Sequence, residues 1–115
     1  MKLMIVAGHD YPFTFGTFEI LDKLTDLQGN SVSKVVTRVG GAKQIEAYAQ
    51  ARGLPVVRLV PDFETFKDKA IINCLREMAA YSDVLVVFPG GFESTEAYLV
   101  GLESQLRLYD FRGMV

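Results

Sequence analysis

Three stretches hold most of the residues with which this chain could do chemistry. They are Gly8-His9-Asp10-Tyr11, Gly40-Gly41-Ala42-Lys43, and Pro89-Gly90-Gly91 with Ser94 and Glu96 just beyond. Glycine ahead of a helix leaves backbone N–H groups open to an anion, favoured further by the helix dipole. It also lets a phosphate approach with no Cβ in the way. His9 and Asp10 can hydrogen-bond a base or a ribose, although Asp10 equally suits the capping of a turn. Tyr11 can stack on a base, or pack its own loop ahead of Pro12. Arg38 suits bidentate pairing with a phosphate, or a surface ion pair. Lys43, where a cation opposes the dipole of its helix, points to a negative partner. Asn73, in a mostly apolar segment, needs partners from a loop or a ligand if buried. Ser94 reads as a helix cap, and Glu96 as a dipole partner or a ribose acceptor. One Gly-Gly pair after a strand is most often only a tight turn. The set of three is what points to a binding site.

The elements that must position these residues follow from hydrophobic pattern. Apolar runs at 3–7, 34–37, 55–60 and 84–88 have strand length, and the last three are rich in valine. Unbroken apolar character, as in Val84-Leu85-Val86-Val87-Phe88, suits a strand buried on both faces. Helical spacing appears at 17–27, 42–52, 67–81 and 94–109, with Gly53 a natural stop for the second. The tail from Asp110 could add a short edge strand or simply fray. Alternating strands and helices predict an α/β fold: a single Rossmann-like domain over residues 1–115, with a mainly parallel sheet of four to five strands and helices on both faces. In such a sheet the three stretches emerge at the carboxyl ends of their strands, where ligands bind.

Composition narrows the function classes. The chain has 115 residues, half of them hydrophobic, and a net charge of −2, which argues against a basic nucleic-acid footprint. One cysteine and one histidine cannot make an internal disulfide or a structural zinc site, so no metal and no cofactor is expected, and Cys74 reads as a small core residue. No apolar run approaches the ~18 residues of a membrane span, and the N-terminus does not read as a signal peptide. A soluble, cytoplasmic protein is expected. Eight Phe and five Tyr, including Phe63, Phe66, Tyr98, Tyr109 and Phe111, exceed what one small sheet needs to cover itself and predict a homo-oligomer.

Ala7-Gly8-His9-Asp10-Tyr11, Gly40-Gly41-Ala42-Lys43-Gln44-Ile45-Glu46 and Phe88-Pro89-Gly90-Gly91-Phe92-Glu93-Ser94-Thr95-Glu96, in that order and spacing and with Asn73 between, resemble the three blocks of the YAcAr branch of the SLOG superfamily. That superfamily is Rossmann-like and includes the Lonely Guy (LOG) phosphoribohydrolases and DprA-type proteins. The resemblance spans residues 2 to about 107. It implies a pocket for a nucleotide or nucleotide-derived signal, such as an ADP-ribose derivative or a cyclic nucleotide. The chain departs from the family pattern at three places. His9 and Ile72 stand where arginines are usual, and Glu93-Ser94 where glycine and threonine are. The catalytic glutamate of the Lonely Guy enzymes falls at Ala97, leaving Glu96 as the acidic residue of the block. The expectation is therefore non-catalytic binding, as a sensor or a sequestering protein of the kind phages use against nucleotide-signalling immunity. The alternatives are a phosphoribohydrolase acting on nucleoside 5′-monophosphates through Glu96, and a structural or partner-binding module.

Overall fold

Val84, Leu85, Val86 and Val87 form a strand in which every residue is buried, so both faces of the sheet must be covered. A computed structural model, describing residues 1–27 and 32–113, shows how. The chain runs β1 (Lys2–Val6), α1 (Phe15–Leu27), β2 (Lys34–Arg38), α2 (Lys43–Ala51), β3 (Val56–Leu59), α3 (Phe63–Phe66), a 3₁₀ turn (Lys67–Lys69), α4 (Ala70–Tyr81), β4 (Val84–Val87), α5 (Gly91–Glu103) and β5 (Arg107–Asp110). The five strands lie in the order β3-β2-β1-β4-β5 and every pair is parallel. This is the Rossmann-like α/β arrangement that the alternating pattern predicts. After β3 the chain crosses back to the other side of β1. With crossovers of one hand, that reversal moves the helices to the opposite face.

Side-chain alternation in the strands divides the core in two. Leu3, Ile5, Val35, Val84, Val86 and Phe88 pack against Leu21 and Leu24 of α1 and Ile45 and Tyr48 of α2. Met4, Val6, Val36, Leu85 and Val87 pack against Cys74, Leu75 and Met78 of α4 and Ala97 and Val100 of α5. Among the described residues no helix is long and apolar enough to cross a membrane.

Two helix ends show what was legible and what was not. Helix α2 closes with Gly53 at φ +68°, its N–H donating to the Gln50 carbonyl while that of Leu54 reaches Ala49 at 2.9 Å. This is a Schellman stop with glycine in the left-handed position, as the sequence suggests. Helix α5 ends by the same device, but Gln105 takes the left-handed place at φ +57°, and the Leu106 N–H donates to Gly101 at 3.1 Å. No glycine marks that stop. The expected helix over 94–109 therefore ends at Glu103, and Tyr109 belongs to β5 instead. The edge strand lies at Arg107–Asp110, before most of the tail for which the sequence leaves a strand or fraying open; Met114 and Val115 fall outside the described residues. The helix expected over 67–81 likewise begins as a 3₁₀ turn, with Lys67 at φ +52°.

The aromatic surplus is partly absorbed internally. Tyr109 and Phe111 pack on the first core layer, and Phe111 stacks on Phe88 at 5.6 Å between ring centroids. Tyr98 lies beneath the Arg112 guanidinium. Phe63 and Phe66 remain exposed.

Tyr48, fully buried, donates its hydroxyl to Asp22 Oδ1 at 2.9 Å, and Arg52 clamps the same carboxylate at 2.7 Å. The Arg52 hydrogen bond is the main reason the Asp22 carboxyl is held below its ordinary range. Tyr48→Phe is expected to lower stability by about 1 kcal/mol in urea unfolding with an unchanged m-value, since the half-buried Asp22 carboxylate keeps its Arg52 hydrogen bonds.

Candidate functional site

The strand order reverses between β1 and β4, and the loops after these strands are locked together there. Phe88 N–H donates to the Val6 carbonyl at 2.8 Å, extending the ladder, and Gly8 N–H then donates to Pro89 at 3.0 Å. The two backbones come so close that a Cβ on Gly90 would sit 2.3 Å from Gly8 N, and one on Gly8 would sit 2.8 Å from Gly90 Cα. No side chain fits at either position, whatever binds nearby. Gly40 and Gly91 have a different reason, with φ of +84° and +60°.

The helix starts at this edge are not equivalent. Helix α1 is capped from within: Thr14 N–H donates to Thr17 Oγ1 at 3.2 Å, and Thr17 N–H to Thr14 Oγ1 at 3.3 Å. Helices α2 and α5 begin at Ala42 and Gly90 with no side-chain cap. Ser94, expected to cap α5, instead donates its buried hydroxyl to the Phe88 carbonyl at 2.7 Å, tying the helix to the end of β4.

Arg38 does make a bidentate pair, but with Glu93 in the first turn of α5. Its Nη2 donates to Glu93 Oε2 at 3.0 Å and its Nε to Oε1, while Nη1 reaches the Val39 carbonyl at 2.9 Å. Both side chains are mostly buried, at 14% and 16% exposed. The Glu93 hydrogen bond raises the Arg38 pKa further above its ordinary value, against the opposing effect of burial. The charge introduced by Glu93 is thus already compensated, and Arg38 is committed within the protein. Beneath the pair, between Ala7, Thr37, Gly41, Ala42 and Met78, the remaining cleft measures about 10 Å³, the room of one water. The ion pair thus nearly fills the cleft between the ends of β1 and β2.

On the β4–β5 side the edge is open. A cleft of about 200 Å³ is lined by Pro89, Gly90, Gly91, Ser94, Thr95 and Arg112. Arg112 lies in the turn after β5, with its guanidinium 3.9 Å above the Tyr98 ring. Its Nε and Nη2 each donate to Asp110 at 2.9 Å. The stack and the fork fix the plane of the guanidinium, leaving Nη1 as the donor edge not committed to that carboxylate. Arg112 is absent from the candidates read from the sequence. Only the spacing Asp110-Phe111-Arg112 could have signalled it, and that spacing is uninformative without knowing that a strand ends at Asp110.

Of the other candidates, Gly41 and Ala42 border the filled cleft and the rest line neither cleft. His9 and Asp10 are exposed in the turn closed by Tyr11 N–H to Gly8 O. Tyr11 is a packing residue, stacked on Phe88 at 5.6 Å and edge-on to Phe13 at 5.7 Å. Gly40, Gly41 and the buried Ala42 form the start of α2, where Lys43 projects into solvent. Asn73 is half-buried in the first turn of α4, and Glu96 is half-buried on α5 outside the open cleft. Cys74 is buried, and burial pushes its thiol pKa up to about 11, as befits an inert core residue. Among the described residues no group of three or more His, Cys, Asp and Glu side chains is placed to hold a metal ion.

No family model matches this chain, and neither does any curated protein or solved structure.

Because the Arg38–Glu93 pair is largely shielded, Glu93→Gln should cost about 1.5–3 kcal/mol in equilibrium unfolding. The double variant Arg38→Gln/Glu93→Gln should cost clearly less than the two single losses added, since it leaves no orphaned charge. Strict additivity would show that the pair contributes nothing.

Proposed function

We propose that this chain binds a nucleotide or nucleotide-derived signal without turning it over, as a sensor or a sequestering protein. The observation that carries this reading is the cleft on the β4–β5 side. There an arginine held in a fixed plane stands beside the uncapped start of a thirteen-residue helix, at the carboxyl ends of β4 and β5. Backbone N–H groups and a guanidinium are the donors that suit a phosphate. The resemblance of the three glycine-containing blocks to the YAcAr pattern supports the same class of ligand.

The case against turnover rests on the carboxylates. Cleavage of an N-glycosidic bond develops positive charge on the sugar, which a carboxylate must face. Glu93 is bound to Arg38, and Glu96 is not among the residues lining the cleft. The residues lining the cleft include no carboxylate to face the departing sugar cation.

AMP and ADP-ribose at about a hundred times their dissociation constants should each stabilise the protein by about 2.7 kcal/mol. Arg112→Gln should weaken that binding by about tenfold or more, with the melting point of the unliganded protein little changed; Arg112→Lys, which keeps charge but not the fork, should recover only part of it. No free base should accumulate on incubation. Base release that disappears in Glu96→Gln would overturn the sensor reading and establish an enzyme.

The same reading includes self-association. Helix α5 turns Phe92, Leu99 and Leu102 to solvent at 64%, 46% and 52% exposure, at spacings that place them along one face. Phe63 and Phe66 are exposed on α3. A second copy of the chain is the proposed cover for this surface. Sedimentation at micromolar concentration should give at least twice the 12.8 kDa of one chain. A monomer at every concentration would reject it.

A further inference from the structure

A second cavity opens at the same edge of the sheet, over the start of α1. It measures about 240 Å³ and is lined by Phe13, Thr14, Phe15 and Phe18. Two of its walls are rigid. Phe13 lies 5.8 Å from Phe88 and 6.4 Å from Phe18, and Phe18 meets Tyr48 edge-on at 5.3 Å, so both rings are held by the core. The third wall is not held: Phe15 is 81% exposed, more than any other large apolar side chain described. The one polar side chain, Thr14, is occupied in capping α1. Such a cavity offers rings to stack on and little to hydrogen-bond with, so its fitting occupant is flat, aromatic and weakly selected for its polar edges.

Its position relates it to the anion cleft. Phe88 touches Phe13 with its ring and holds Ser94, which lines the cleft, with its carbonyl. The aromatic cavity and the cleft thus lie on either side of the residues that end β4. We infer that the Phe13–Phe15–Phe18 cavity is a subsite for the aromatic ring of the ligand, so that the chain selects base-bearing nucleotides over bare sugar phosphates. Phe15 closes over the ring, while Phe13 and Phe18 form the fixed platform. Selection is by stacking area, so purines bind better than pyrimidines and exchange of one purine for another matters little.

This inference rests on the proposed anion cleft for the other half of the ligand, and the test separates the two. ADP-ribose, ribose 5-phosphate and adenosine are titrated into the intact protein and into Phe15→Ala and Phe15→Trp. Phe15 is exposed enough for both substitutions to leave the fold intact, and the natural chain contains no tryptophan, so Phe15→Trp carries a single fluorophore beside the cavity. ADP-ribose is expected to bind about tenfold or more tightly than ribose 5-phosphate and to shift the Thr14 methyl resonance. Phe15→Ala should remove that advantage without changing ribose 5-phosphate binding. In Phe15→Trp, ADP-ribose and adenosine should quench the emission and ribose 5-phosphate should not. Equal affinities for the two phosphates, with Phe15→Ala silent, would overturn the ring subsite and leave the anion cleft standing. Quenching by adenosine with no binding of ribose 5-phosphate would do the reverse. Self-association abolished by Phe15→Ala, with no response to adenosine, would make the cavity a seat for another chain's side chain and overturn the inference.

Discussion

Gly8 and Gly90 meet backbone to backbone where the strand order turns, and the arrangement of the whole carboxyl edge depends on that contact. It joins the loop after β1 to the loop after β4 closely enough that neither residue has room for a Cβ. The β1–β4 ladder therefore continues past the strands, through Phe88 to Val6 and Gly8 to Pro89. From that lock the start of α5 takes its position, and Ser94 secures it by a hydrogen bond to Phe88. Glycine here serves the approach of one backbone to another. The same residue type that reads as an opening for a ligand is first of all a requirement of the fold.

An ion pair then fills one cleft of this edge and leaves another open. Glu93 stands in the first turn of α5, where the helix dipole already favours a carboxylate, and Arg38 at the end of β2 completes the pair. Together they bridge from β2 to α5 across the end of β1, leaving room for about one water beneath. The open cleft lies instead toward β5, where Arg112 is held by Tyr98 and Asp110. In the folded chain the Glu93 carboxylate acts mainly on a neighbouring arginine. Coulomb attraction is strong over a hydrogen-bonding distance in partial shelter from water.

Aromatic residues have a comparable double use. Tyr11, Phe13, Phe18, Phe88 and Phe111 form a continuous set of stacked and edge-on contacts above the first core layer. In a small sheet whose edge strand β5 is only partly covered, these rings supply apolar area that a further helix would supply in a larger protein. Phe15, Phe63, Phe66 and the α5 stripe lie outside that set and remain exposed.

The linear chain by itself determined the fold class, because fully apolar runs such as Val84-Leu85-Val86-Val87 demand cover on both faces and helical spacing between them provides it. It also determined the end of α2, since Gly53 can enter the left-handed region without strain. Tertiary structure alone decided the end of α5, where Gln105 takes that conformation although it is not a glycine, supported by the fit of Gly101 against Leu85 and the pairing of β5 with β4. It alone decided that Arg38 faces Glu93, 55 residues away, and that Arg112 faces Gly90 and Gly91. Local sequence encodes periodicity and backbone preference, which act over a few residues. Which charges and rings meet across the carboxyl edge depends on strand order, and strand order is settled only when the sheet closes over both core layers.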